Sequence, residues 1–340
     1  MSNTARRKTT GVTKTEERIR DHVWTTTLTN GKRAICKVVS PDRFQTEVTT
    51  LGYLRDRGCS VPLLLDSDEE RGIIITEWCG DQTVDDVCQS GDAQRRHLVG
   101  RRLVEAFCEI ERALTQPCED LVGRAVDRDL REEGRHTLMR GRLALLGLIH
   151  LAGGYLEEAD TQQLGRLWQE LGEVILTGPV TFGSCDYNAL NVVVDERDEV
   201  TFIDFSLLGE DWPERRLVQY ATGLGTYCED GNIIGLLDEG VAERYAEMMG
   251  DNPAMVLKRL DAHSLLFHVM IIANLVEMIT APEQQRSKLL REAWGEPRAR
   301  IGQVVQGVLT PLSRDETMMQ LRNLLKDVLW SERRRLYANL

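Results

Sequence analysis

What the 340-residue sequence lacks narrows its chemistry first. Its eight cysteines, Cys36, Cys59, Cys79, Cys88, Cys108, Cys118, Cys185 and Cys228, include no C-x-x-C pair and have no run of histidines near them. Structural zinc and dithiol redox chemistry both rely on such spacing, so neither is expected. Met1 to Thr15 carries Arg6, Arg7 and Lys8 but no apolar segment, and reads as a flexible basic tail rather than a secretory signal. The longest apolar stretch, Leu143 to Ala152, is interrupted by Gly147 and His150. It falls short of the roughly 20 residues that a membrane span requires and reads as a buried helix. There is no internal repeat, no low-complexity tract and no long Gly/Ser/Pro linker. Cations are in deficit: 42 Lys+Arg against 54 Asp+Glu give a formal charge of −12. That balance disfavours non-specific binding to nucleic acid or anionic lipid. Reduced thiols in a chain with no export signal point to the cytoplasm.

What is present is an ordinary globular composition, 42% hydrophobic and 28% charged, long enough for about two domains at ~150 residues each. His22 to Thr29 is rich in Val, Trp and Thr, as strands prefer. Asn30-Gly31 then signals a two-residue hairpin turn with both positions at positive φ, and Arg33 to Val39 returns as the partner strand. Phe44, Val48, Leu51 and Leu54 have helical spacing within 43–57, and Gly58 stands where a C-cap belongs. Val61–Leu65 and Gly72–Trp78 read as two more strands around an acidic turn. Beyond Gly80 helical patterns dominate, in Val84–Gln89, Arg95–Leu114, Arg128–Leu151, Tyr155–Leu176 and from Arg216 to the end. One strand pair, Asn191–Val194 and Val200–Phe205, interrupts them. The expected fold class is α+β and bilobal, with a small β-rich lobe over residues 1–79 and a larger helical lobe over residues 80–340.

The stretch with the most chemistry runs from Thr181 to Ser206. A loop presents Asp186, Asn191 follows five residues later, and the strand after the hairpin ends on Asp204. Two carboxylates and a carboxamide can meet at the mouth of that hairpin. Hard oxygen ligands of this kind suit Mg²⁺, which shares its coordination with substrate phosphates. The remaining carboxylate can orient a hydroxyl and accept its proton.

These residues resemble the protein-kinase-like superfamily, in the small-molecule branch of aminoglycoside and choline phosphotransferases. That family carries H-G-D-x-x-x-x-N followed by a strand ending in I-D. The present chain reads Ser184-Cys185-Asp186 through Asn191, then Ile203-Asp204-Phe205. The resemblance implies that Asp186 is the catalytic base and that Asn191 and Asp204 hold Mg²⁺. Ser184 and Cys185 depart from the family's His and Gly; the His mainly buttresses the loop, so its loss bears on catalytic efficiency more than on the fold. Lys37, in Ala34-Ile-Cys-Lys37, matches the family's ATP-contacting lysine, and Glu47 on the next helix its ion-pair partner. Ile73 to Gly80 resembles the adenine-binding strand and hinge, which implies contacts through the Glu77 carbonyl and the Cys79 amide. No G-x-G-x-x-G occurs; Thr9 to Lys14, with Gly11, is the nearest substitute for a phosphate-covering loop.

The resemblance implies an ATP- and Mg²⁺-dependent phosphotransferase acting on a hydroxyl of a small molecule. The short segment after Asp204, with no A-P-E motif, favours a small acceptor over a protein. Between residues 205 and 280 five Arg and Lys face twelve Asp and Glu, a charge of −7. These acids either steer a cationic acceptor of aminoglycoside or choline type, or are ordinary exposed helix faces. Two alternatives stand beside the enzyme reading. One is a pseudokinase scaffold, motivated by the missing His and glycine loop; the other is a kinase of a glycolipid core sugar or of a protein. No nucleic-acid partner and no membrane insertion are expected.

Overall fold

Short, β-branched runs joined by tight turns form the first of two unequal parts. The computed structural model describes residues 12–20, 22–151, 155–226, 228, 231–250, 252–280 and 297–338. Strands β1 (Val12–Arg20), β2 (Val23–Leu28), β3 (Arg33–Val38), β4 (Leu64–Asp68) and β5 (Ile73–Glu77) make an antiparallel sheet in the order β1-β2-β3-β5-β4. The polar start of the chain is therefore partly structured: Val12 to Thr15, read as tail, belongs to β1 and pairs with β2. Residues 1–11 lie outside the described residues.

The hairpin between β2 and β3 differs from its sequence signature. Only Gly31 has positive φ (78°), while Leu28 and Lys32 exchange backbone bonds around it. The Asn30 carboxamide accepts from the Lys32 amide at 3.0 Å instead of taking a left-handed conformation. The loop is thus a three-residue turn with glycine at the left-handed position. The acidic residues after Leu65 were expected to form a turn, but Asp66 and Asp68 continue β4, with a register irregularity between Leu64 and Asp66.

Helix α1 (Pro41–Arg55) lies between β3 and β4. Pro41 opens it, where a missing N–H costs nothing. Gly58 (φ 76°) closes it, with the Cys59 amide reaching back to the Leu54 carbonyl at 3.1 Å. Its Leu51 and Leu54, with Cys59 and Val61 after it, are buried in the core of the second part.

That second part starts with β6 (Gln82–Thr83) and helices α2 (Val84–Gln89), α3 (Ala93–Ala113), α4 (Glu119–Val122), α5 (Leu130–Leu151) and α6 (Glu158–Leu176). Val99, Leu103, Phe107 and Ile110 give α3 one buried face, and the Asp92 carboxylate caps its first amides. Next come β7 (Thr181–Ser184), β8 (Val192–Val194), β9 (Val200–Phe202) and β10 (Leu208–Asp211), then α7 (Pro213–Tyr220), β11 (Thr222–Gly223) and β12 (Ile234–Gly235). Helices α8 (Glu239–Met249), α9 (Pro253–Thr280), α10 (Pro297–Leu309) and α11 (Glu316–Ala338) complete the described chain. The region after Arg216 is not continuous helix: β11 and β12 interrupt it, held by Asp85, whose buried carboxylate accepts from the amides of Leu224, Gly225 and Thr226.

Two cores fill this part. One gathers α2, α3, α7, α8 and the β8–β9 hairpin, and the other gathers α5, α6, α9, α10 and α11. Helix α9 is a longer apolar run than Leu143–Ala152, and its length and composition alone would let it cross a membrane. Of its most apolar window, 67% is buried within the fold, as a central core helix requires. All eight cysteines are free. Burial pushes the thiols of Cys79, Cys88 and Cys108 up to about 12, so they behave as apolar filling rather than nucleophiles.

Candidate active site

Lys37 lies mid-way along β3, paired with Val23 of β2 and Ile74 of β5, so the sheet fixes where its side chain begins. Its Nζ lies 2.8 Å from Glu47 Oε2 on α1 and 2.8 Å from Asp204 Oδ1 beyond β9. Burial works against the ammonium, but the two carboxylates outweigh it and hold the Lys37 pKa above its ordinary value. Glu47 is only 4% exposed, and burial raises its carboxyl despite the lysine. Asp204 behaves oppositely: burial alone would raise it, yet Lys37 and the hydroxyl and amide of Ser206 bring it below the usual range. Asp204 also has φ 64°, a left-handed conformation that Asp tolerates better than most residues but that still stores strain.

The catalytic-loop residues are tied to one another. The Asn191 carboxamide donates to the Asp186 carbonyl at 2.9 Å, and the Asp186 amide donates to Ser184 Oγ at 3.2 Å. Both ends of the Asp186 backbone are therefore held by side chains. Among the described residues nothing hydrogen-bonds Asn191 Oδ1. This oxygen, with the Asp204 carboxylate, is a hard donor set that fits Mg²⁺. Burial, then the nearby Asp204 charge, raises the Asp186 pKa. Cys185 occupies the family's glycine position because Gly209 opposite has no side chain: a Cβ there would come within 3.0 Å of the thiol. Burial raises this thiol too, which removes a nucleophilic role.

A cavity of about 200 Å³ opens beside these groups. Ile19, Val23 and Ile35 line it from the sheet, and Leu190, Val193 and Ile203 from the second part. Lys37, Glu47, Asn191 and Asp204 line it too, with Glu77, Trp78 and Cys79 from the connecting segment. Glu77 and Cys79 thus stand where the sequence places them, with the Cys79 thiol 3.6 Å from the Glu77 carbonyl oxygen. Gly80 lets the chain pass: a Cβ at this position would collide with the Val194 carbonyl. Asp186 is not part of the lining.

The phosphate-covering segment is elsewhere than expected. Lys14 lies within β1, and the chain reverses between Arg20 and Val23; residues 9–11 lie outside the described residues. The acidic excess after residue 205 is largely matched within the fold. Asp211 meets Arg128 and Arg215, Glu214 meets Arg259, Asp261 meets Arg322, Glu277 meets Arg140 and Glu239 meets Arg314. Several of these cations lie outside residues 205–280, so a charge sum over that segment overstates the field. Sequence reasoning missed Ser206, Tyr187 and Tyr220. Ser206 Oγ donates to Asp204 Oδ1 at 2.9 Å and Tyr187 to Asp211 Oδ2 at 2.6 Å. Hydroxyl residues beside a motif leave no periodic signal.

A family model described as the phosphotransferase enzyme family matches residues 15–247. Among solved structures, the chain is similar to an aminoglycoside phosphotransferase from Alicyclobacillus acidocaldarius at 12% identity and TM-score 0.55, covering 96% of this chain and 93% of that one. It is also similar to the GDP complex of wild-type aminoglycoside 2′-phosphotransferase-IIIa, at 11% identity and TM-score 0.50, covering 97% and 94%. At these identities the likeness shows the fold, which is the bilobal kinase-like one. No curated protein matches the sequence.

Proposed function

The chain belongs to the phosphotransferase enzyme family, and from that premise we propose that it transfers the γ-phosphoryl group of ATP to a hydroxyl group of a small molecule. The observation that carries this reading is Lys37 Nζ at 2.8 Å from both Glu47 and Asp204, beside a cavity with apolar walls. Glu47 fixes the ammonium where the α- and β-phosphates would lie, with the adenine between the sheet and Val193 and along Glu77 to Cys79. Asn191 and Asp204 would hold Mg²⁺, which supplies charge neutralisation to the phosphates when bound. Asp186 orients the acceptor hydroxyl and takes its proton. A raised pKa suits a group that must receive a proton. In this reading residues 1–79 cover the nucleotide, and residues 80–340 carry the catalytic loop and the acceptor side. The protein acts in the cytoplasm. The acceptor's charge is left open, because the nearby carboxylates are matched by arginines.

The test is ATP consumption across hydroxylated amines, sugars and lipid-linked sugars, with Asp204→Ala as the blank. At a hundredfold its dissociation constant, Mg-ATP should stabilise the wild-type protein by about 2.7 kcal/mol. Turnover that survives in Asp186→Ala or Asp204→Ala overturns the assignment. A wild-type protein whose melting temperature ignores Mg-ATP supports the scaffold reading instead.

A further inference from the structure

We propose that Tyr220, acting through Ser184, is a positioning residue of the catalytic loop and replaces the brace that the family's histidine provides. Ser184 stands where that histidine is expected. Its hydroxyl accepts the Asp186 amide at 3.2 Å, two residues along, which by itself is only a local turn contact. A serine is too short to tie the loop to the body of the protein. The second anchor comes from α7: the Tyr220 hydroxyl shares a hydrogen bond with the Ser184 side chain.

Tyr220 is built to hold that hydroxyl still. It is 2% exposed, and its ring meets Phe202 edge-on at 4.9 Å, Phe107 at 6.3 Å and Tyr187 at 6.3 Å. A ring confined on three sides keeps its χ angles, and a buried phenol needs a polar partner. Burial pushes its ionisation up, so it stays neutral and keeps its proton. The path is short: α7 fixes Tyr220, Tyr220 fixes Ser184, and Ser184 fixes the amide of Asp186. Asn191 holds the carbonyl of the same residue. The Asp186 carboxylate thus projects from a peptide clamped at both ends, by side chains that the sequence pattern of the family does not contain.

For its kinetic arm this inference rests on the phosphotransfer reading, but its exchange arm is independent of it. The variants are Tyr220→Phe, which keeps the ring, Ser184→Ala, their double, and Ser184→Thr, which keeps a hydroxyl. Amide hydrogen exchange over residues 185–188 should rise about tenfold in Tyr220→Phe and in Ser184→Ala, the size of one hydrogen bond. The double variant should rise no further than either single one, and Ser184→Thr should stay near wild type. ATP turnover should fall about tenfold in kcat, with KM for Mg-ATP within about twofold, because the loop and not the nucleotide cavity loosens. Unchanged exchange at Asp186 in Tyr220→Phe overturns the proposal. So does a rise spread evenly over the whole second part, which would mark Tyr220 as general packing. If the wild-type protein shows no turnover at all, the phosphotransfer reading fails, and the exchange result still decides this one.

Discussion

Lys37 of the sheet and Asp204 of the second part are joined, Nζ to Oδ1, at 2.8 Å. Glu47 lies on the other side of the same nitrogen. One cation therefore separates two part-buried carboxylates. Lys37→Met should leave these charges facing each other and remove the cation nearest the phosphates. The expected loss is about 10²–10³-fold in kcat, as for removal of one preorganised electrostatic group. Lys37→Arg should not restore activity, because a planar fork cannot occupy the point between two carboxylates. Steady-state ATP turnover checks both.

Arg216 and Glu111 form the most buried ion pair of the second core, 1% and 3% exposed, with Nη2 to Oε2 at 2.7 Å. Arg216 also donates to the Thr181 carbonyl. Arg216→Met should leave Glu111 buried without its cation and cost about 3–5 kcal/mol. Adding Glu111→Leu should recover a large share of that loss. Urea denaturation of the three variants measures it, and an additive double variant would contradict the pairing.

Gly80 allows the segment after the cavity to pass the Val194 carbonyl. Gly80→Ala should force that backbone apart, at a cost of about 1–3 kcal/mol, the range for overpacking. Since Glu77 to Cys79 directly precede it, KM for Mg-ATP should rise more than kcat falls. A variant with wild-type KM and stability would refute the contact.

His263 is buried beside Trp212 with no hydrogen-bond partner for Nε2. Burial, and then the Arg215 charge, lowers its pKa to about 3. The unfolded chain binds its proton near pH 6.5. The neutral ring therefore supports the folded state fully above pH 6.5, and that support is lost as pH falls towards 3. The slope is about 1.4 kcal/mol per pH unit. His263→Phe should flatten the decline of stability between pH 6 and pH 4 by that amount. Denaturation midpoints at several pH values give the comparison.

The parts legible in the sequence were those with strong local signals. Lys37 and Glu47 sit on a strand and a helix of clear period, and their ion pair follows from that register. Gly58 capped its helix as read. β1 escaped because its residues, Val-Thr-Lys-Thr-Glu-Glu-Arg-Ile-Arg, carry little apolar alternation, and it pairs on one side only. β7, β10, β11 and β12 escaped because strands of two to four residues exist only through their partners. Asn30 illustrates a third limit. Its side chain took the hydrogen bond that a tighter turn would have given to backbone, a choice that dipeptide identity does not decide. At the site, Ser184 was visible as a departure, while Tyr220, 36 positions downstream, could be linked to it only in three dimensions.

Helix α1 has one further consequence. Its middle holds Glu47 against the sheet, but Leu51, Leu54, Cys59 and Val61 at its far end belong to the core of the other part. Ser60 adds a backbone bond from the Phe202 amide at 2.9 Å. The seam visible along the chain near residue 79 is therefore not a seam in the packing. A polypeptide cut there should yield no autonomous fragment: the first piece would expose a greasy helix end, and the second a socket with nothing in it. Co-expressed, the two pieces should find each other, because the missing plug of one is the surplus of the other.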